Sequence, residues 1–303
     1  MAIKIFFGNY KGGVGKTTSA FYIAHYFSKN SFGSEKKVLI LDLDPQCSMS
    51  EICMRSFGNK TLDDLPQEQT LNYMLDILSK SNKYSAPVKF NLKNTIKICT
   101  DMSPNVDFIP TTLTYSGKDN TFIGLDGLID DLQLNPDKNI FLLYEIVRML
   151  ENDYDFIFFD CPPSNNILTK SAFLLSDYYI IPYISDGISI KGVEHYIFTV
   201  NNIYDKYCER HIDSNFYKHI FGAKAKLLGL FECMRVRNEN ARGNIGVIDA
   251  KKYDVVVKNL IGIQENLSRG RISEETGAYE RLSKQIAEDI IKDIGDDSES
   301  ISN

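Results

Sequence analysis

Gly8-Asn9-Tyr10-Lys11-Gly12-Gly13-Val14-Gly15-Lys16-Thr17-Thr18 follows an apolar run (Ile3, Ile5, Phe6, Phe7) and precedes a segment with Ala20, Ile23, Ala24 and Phe27 at helical spacing. Strand, glycine-rich turn and helix, in that order, make a cradle for a polyphosphate. Glycines 12, 13 and 15 let consecutive backbone N–H groups turn inward, and the helix expected over Thr17 to Lys29 adds its positive end. The side chains complete the chemistry: Lys16 is placed to reach β- and γ-phosphates, and Thr17 to hold Mg²⁺. A turn that merely joined a strand to a helix would not need Lys-Thr-Thr at its end.

Gly15-Lys16-Thr17 closes the P-loop pattern G-x-x-x-x-G-K-[ST], in a variant form because Tyr10 stands where the strict pattern has its first glycine. The expected nucleotide contacts of the loop are Gly12, Gly13, Val14, Gly15, Lys16, Thr17 and Thr18. Working outward, apolar runs recur at Val38 to Leu43, Phe156 to Phe159, Tyr178 to Tyr183 and Leu227 to Phe231, with amphipathic segments between several of them. Continuous apolar strands alternating with helices predict an α/β fold of the P-loop NTPase class, a mostly parallel twisted sheet with helices on both faces.

Two of these strands end in carboxylates. Leu41-Asp42-Leu43-Asp44-Pro45-Gln46 puts acids at i and i+2 where α/β sheets place ligands, although an acidic turn after a strand is common in itself. Asp155-Phe-Ile-Phe-Phe-Asp160-Cys-Pro-Pro-Ser164 ends an apolar strand on Asp160, which fits a Walker B carboxylate on Mg²⁺. Thr17 and Asp160 are thus metal candidates.

Lys11 sharpens the reading. Lys-Gly-Gly-Val-Gly-Lys-Thr, residues 11–17, resembles the deviant Walker A motif K-G-G-x-G-K-[ST] of the ParA/MinD superfamily of ATPases, Asp42 to Gln46 resembles the D-x-D-P-Q run of ParA proteins, and Asp-Cys-Pro-Pro-Ser is similar to that family's wording. Weaker likeness extends to Val106–Thr111 and to Gly277–Ile290, so roughly two thirds of the chain is covered, while only the three named motifs are specific. The resemblance implies that Lys11 crosses a dimer interface to the partner's nucleotide, that Asp44 orients or activates the attacking water, and that Asp42 supports the metal region. Lys11, Lys16 and Asp44 are then the catalytic candidates, with ATP and Mg²⁺ as the bound groups. The chain departs from the family at Gly229–Asn238 and at Val255–Asn266, which contains no proline, so adenine contacts are left unassigned.

Between Gly58 and Pro136 the sequence predicts a helix (Leu71 to Leu78), strands at Ile96–Cys99 and Val106–Ile109, and a polar turn near Ser116–Asn120, read as an elaboration within the same sheet. Residues 112–150 carry no readable signal. A helix is expected over Tyr279 to Ile294, closing one domain of residues 1–294, with 295–303 as an acidic flexible tail. No apolar run reaches the roughly 18 residues of a membrane span and no leader pattern precedes the first strand, which predicts a cytoplasmic protein. Starting that strand at residue 3 leaves no room for an N-terminal helix-turn-helix domain, so the likeness is to the shorter ParA proteins and operator-specific repression is not expected. Six scattered cysteines, with no C-x-x-C pair, read as reduced thiols and not as a cluster site.

Charge distribution addresses what the ATPase would serve. The whole chain carries −6, but Gly222 to Arg271 holds ten basic residues against five acidic ones, leaving the remainder near −11. Such asymmetry suits a basic face on DNA phosphates, for which Lys251, Lys252, Lys258, Arg269 and Arg271 are the candidates, although charge runs usually face water. The resemblance implies a partitioning ATPase for a plasmid or chromosome: an ATP-dependent homodimer, bound to DNA non-specifically and so nucleoid-associated, and stimulated by a ParB-type centromere-binding partner. The alternatives are a MinD-like membrane switch, a positioning ATPase for a protein cargo, and a metallocentre protein or small-molecule ligase on the same scaffold. The acidic end of the chain (Glu288, Asp289, Asp293, Asp296, Asp297) would be repelled by anionic lipid, so no membrane partner is expected.

Overall fold

Alternate residues of the central strands enter opposite hydrophobic clusters. β1 (Ile3–Phe7) sends Phe6 to one cluster and Ile5 and Phe7 to the other; β2 (Val38–Asp42) divides Leu39 and Leu41 from Val38 and Ile40. The strand at Phe156–Asp160 divides Ile157 and Phe159 from Phe156 and Phe158 in the same way. A strand that must be apolar on both sides reads as an unbroken apolar run, which is why these three were visible in the sequence.

The computed structural model describes residues 1–29, 31–116, 122–233, 245–257, 261–274 and 276–301. In chain order the elements are β1, α1 (Lys16–Lys29), β2, α2 (Ser48–Ser56), α3 (Leu71–Tyr84), α4 (Leu92–Thr95), β3 (Lys97–Ile98), β4 (Val106–Ile109), β5 (Tyr115–Ser116), β6 (Phe122–Ile123) and α5 (Leu125–Gln133). There follow α6 (Pro136–Asn139), α7 (Leu142–Arg148), β7 (Phe156–Asp160), α8 (Ile167–Leu175), β8 (Tyr178–Tyr183), α9 (Gly187–Tyr204), α10 (Ser214–Phe221), β9 (Lys226–Cys233), β10 (Lys252–Val257), α11 (Ile261–Leu267) and α12 (Gly277–Ile301). The sheet order is β10-β9-β8-β1-β7-β2-β4-β3, parallel except for β3 at one edge. The mostly parallel P-loop sheet is therefore present, with helices on both faces.

α1, α2 and α12 cover one face; α3, α5, α7, α8 and α9 cover the other. α12 lays Tyr279, Leu282, Ile286 and Ile290 against the first of these cores, and each such buried side chain contributes about 1.5–3 kcal/mol. All six cysteines are free and buried. Among the described residues no helix is long and apolar enough to cross a membrane.

Three expectations need correction. α12 runs through Ile301, so the expected end at Ile294 and the flexible tail do not hold as far as that residue: no proline stops the helix, and Gly295 costs only about 1 kcal/mol relative to alanine. Among the described residues the middle region joins the main sheet only through β3 and β4; β5 and β6 pair with each other as a separate ribbon, and α5–α7, formed from the stretch that carried no readable signal, pack as helices on one face. β10 was not predicted, because Lys252 and Asp254 interrupt its apolar pattern, as an edge strand with one wet side allows.

Candidate nucleotide site

The loop from Gly8 to Gly15 leaves the C-terminal end of β1 and feeds the first turn of α1, with Gly13 at φ 70° and Gly15 at φ 85°, conformations that side chains rarely adopt. A cavity of about 620 Å³ opens there, walled by this loop, by Asp44, Pro45 and Gln46, by Pro162, Pro163 and Ser164, and by Leu267. The three sequence motifs thus meet around one space. A larger groove of about 870 Å³ lies at the opposite ends of β1, β8 and β9, where Lys4 and Lys226 are already neutralised by Asp177 and Asp293.

Lys16 is 7% exposed and its ammonium donates to the Lys11 carbonyl at 3.3 Å. Burial lowers its pKa, while Asp160, Asp44 and Cys161 work in the opposite direction. An ammonium held out of water beside a phosphate cradle is poised for anionic oxygens. Thr17 and Thr18 are half-buried at the cavity wall. The Val14 side chain is fully buried, so its expected nucleotide contact reduces to its backbone.

Asp42 and Asp160 lie side by side because β2 and β7 are in register there. Burial raises the pKa of both, and their mutual repulsion adds to the Asp160 shift; a cation at this spot would relieve it. Their oxygens are used differently. Asp42 accepts three protein donors, the Asp44 N–H at 3.1 Å on one oxygen and the Ser50 N–H and hydroxyl at 2.8 Å on the other. Asp160 is buried, and although Thr17 and Lys16 favour its charged form, neither carboxylate oxygen accepts a well-formed hydrogen bond. An orphaned buried carboxylate beside a threonine hydroxyl and a phosphate cradle fits Mg²⁺, which takes one or two protein oxygens and completes its shell from phosphate and water. Thr17 and Asp160 fit best; Asp42, with three of its about four acceptor sites taken by the protein, has one left. Asp44, half-buried, accepts the Gln46 N–H at 2.9 Å and faces the cavity.

Lys11 is half-exposed and forms a 2.6 Å ion pair with Asp186, whose other oxygen caps α9 by accepting the Ser189 N–H at 2.8 Å. Burial opposes the Asp186 charge, but the hydrogen bonds from Lys11 and Ser189 outweigh it and lower its pKa. Asp186, Ser50 and Thr111 carried no sequence motif; only the fold brings them to the site. The cap spacing Asp186-x-x-Ser189 before an apolar helix was the one available signal.

Four of the five DNA candidates lie among the described residues. Lys251 and Lys252 sit at the N-terminal end of β10, Lys251 paired with Asp289 and Lys252 donating to the Ile248 carbonyl. Arg269 and Arg271 are exposed beside Gly270, which packs on the backbone of Ile52 and Arg55 in α2. Lys258 lies outside the described residues, as do Arg235, Arg237 and Arg242 of the basic segment.

A family model described as an AAA domain matches residues 2–213. A virulence plasmid ParA family protein of Chlamydia psittaci is 31% identical over 62% of this chain and 59% of its own length. The chromosome-partitioning ATPase Soj of Treponema pallidum is 27% identical over 67% of this chain and 65% of its own. The chain thus spans less than two thirds of the length of these relatives. A Borrelia burgdorferi putative plasmid partition protein, solved bound to AMPPNP, superposes with a TM-score of 0.64 at 20% identity, over 97% of this chain and 100% of the other, which is a likeness of fold.

Proposed function

This chain belongs to the ParA/MinD-type P-loop ATPases, and from that membership we propose that it is an ATP-hydrolysing partitioning switch for a plasmid or chromosome. The observation that carries the reading is the Asp160 carboxylate, buried and accepting no well-formed hydrogen bond, beside Thr17, Lys16 and the glycine loop. Lys16 and the loop N–H groups bind and orient the phosphates; Thr17 and Asp160 would hold Mg²⁺, which would supply positive charge to neutralise the phosphate oxygens. Asp44 orients the attacking water at the open side of the cavity. No covalent nucleophile is required, because phosphoryl transfer of this kind depends on positioning and charge.

ATP joins two copies, and hydrolysis releases them. Support comes from α9, whose outer face carries Ile188 at 84% and Phe198 at 65% exposure in one stripe with Lys191 and His195. Tyr10 packs against His195 and Tyr196, and Lys11 against Asp186, so the loop and this apolar stripe form one continuous surface. In the ATP form the dimer binds DNA without sequence preference and is nucleoid-associated in the cytoplasm, and a ParB-type partner stimulates hydrolysis.

The test is sedimentation of Asp44→Ala with ADP or ATP-Mg²⁺, with and without a random duplex at low salt. An ATP-dependent dimer that co-sediments with DNA is expected; a dimer that ignores DNA would redirect the function to a protein or membrane cargo, and the absence of a dimer would remove the switch.

A further inference from the structure

α2 begins without a side-chain cap. Cys47, its N-cap residue, stands at φ 53° and provides no side-chain acceptor, so the Asp42 carboxylate caps the helix from the end of β2 through the Ser50 N–H. Ser50 then does more than complete a helix turn. Its hydroxyl donates to the same Asp42 oxygen at 2.8 Å and accepts the Thr111 N–H at 2.9 Å, while the Thr111 hydroxyl donates to the Asp42 carbonyl at 2.6 Å. Ser50 is 1% exposed and Thr111 0%, so these bonds work out of water, where each is stronger.

The consequence falls on the segment between the two anchors. Asp44, Pro45 and Gln46 wall the nucleotide cavity, and they hang between Asp42, which accepts the Asp44 N–H, and Ser50. We infer that Ser50, locked by Thr111, is a positioning residue that sets where the Asp44 carboxylate stands over the cavity by holding one Asp42 oxygen to the start of α2. This deepens the proposed function and rests on its assignment of Asp44 to the attacking water. A single hydroxyl with one donor and one acceptor has no freedom left to rotate. A loop tied to such a group at one end and to β2 at the other is pre-set before nucleotide arrives.

The experiment compares Ser50→Ala, Ser50→Thr and Ser56→Ala in the full chain. Ser56 is the control, a buried hydroxyl of the same helix that has no hydrogen-bond partner. Three quantities are read: kcat for ATP, affinity for a fluorescent ATP analogue, and hydrogen exchange at the Asp44, Gln46 and Cys47 amides. Ser50→Ala is expected to lower kcat about tenfold or more, as fits a lost hydrogen bond to a charged group, to leave affinity within about twofold, and to speed exchange at those amides. Ser50→Thr, which keeps the hydroxyl, restores all three, and Ser56→Ala changes none. Should Ser50→Ala fail to fold, Ser50→Cys, which keeps the size of the side chain but replaces the hydroxyl with a weak thiol donor, is expected to give the same split. A kcat for Ser50→Ala within about twofold of the unsubstituted protein, or affinity falling in step with kcat, would overturn the inference. If the unsubstituted chain binds ATP without hydrolysing it, the assignment of Asp44 fails instead, and unchanged exchange at residues 44–47 in Ser50→Ala still overturns the role given to Ser50.

Discussion

The phosphate loop and the basic segment at 222–271 both announced a function in the sequence, yet the fold treats them in opposite ways. At the loop, residues close along the chain, Gly12, Gly13 and Gly15 to Thr18, line one cavity together. In the basic segment the charges belong to separate elements. Lys251 is neutralised by Asp289 from α12, while Arg269 and Arg271 stand exposed beside α2. A local motif keeps its meaning on folding; a count of charges does not.

The largest test of that contrast is Lys16→Ala, expected to weaken ATP binding by about a thousandfold through loss of a charge-assisted contact held out of water. Binding retained within tenfold, in an equilibrium titration, would break the assignment. Asp44→Ala is expected to leave binding within a few fold and to slow hydrolysis by about a hundredfold or more, read in a single-turnover assay. Lys11→Ala should bind nucleotide and remain monomeric with ATP in sedimentation; continued dimerisation would mean that the Lys11 to Asp186 pair is only structural.

Two smaller effects sharpen the other half of the comparison. Arg269→Ala and Arg271→Ala should each reduce the slope of log affinity against log salt for random duplex DNA by about one, whereas Lys251→Ala, already paired with Asp289, should leave it unchanged. Equal effects at all three positions would mean that DNA recruits the paired lysine as well. Smallest of all, Asp186→Ala removes the cap of α9 and is expected to cost about 1 kcal/mol in denaturant melts while leaving ATP-dependent dimerisation intact.

Legibility in the sequence followed the same division. β1, β2 and β7 were readable because each is buried on both faces, and the glycine loop because its backbone needs residues without side-chain restraint. β10 was missed because half of it faces water, and α5 to α7 because their short apolar stretches resemble loops until the sheet offers a face to cover. Asp42 shows the limit most clearly. Its place two residues before Asp44 suggested a metal role, but whether a carboxylate meets a metal or the protein depends on what donors surround it, and Ser50 supplies them from another element.

By itself the sequence determined the fold class and the family and pointed to the phosphate loop, since each rests on neighbours along the chain: a period of burial, a run of glycines, a carboxylate ending a strand. Only the tertiary structure decided which carboxylate accepts no well-formed hydrogen bond, which lysine is paired and which serine donates to Asp42. Those are contacts between residues far apart in the chain, and a hydrogen bond or an ion pair is set by distance in space, which spacing along the sequence does not encode.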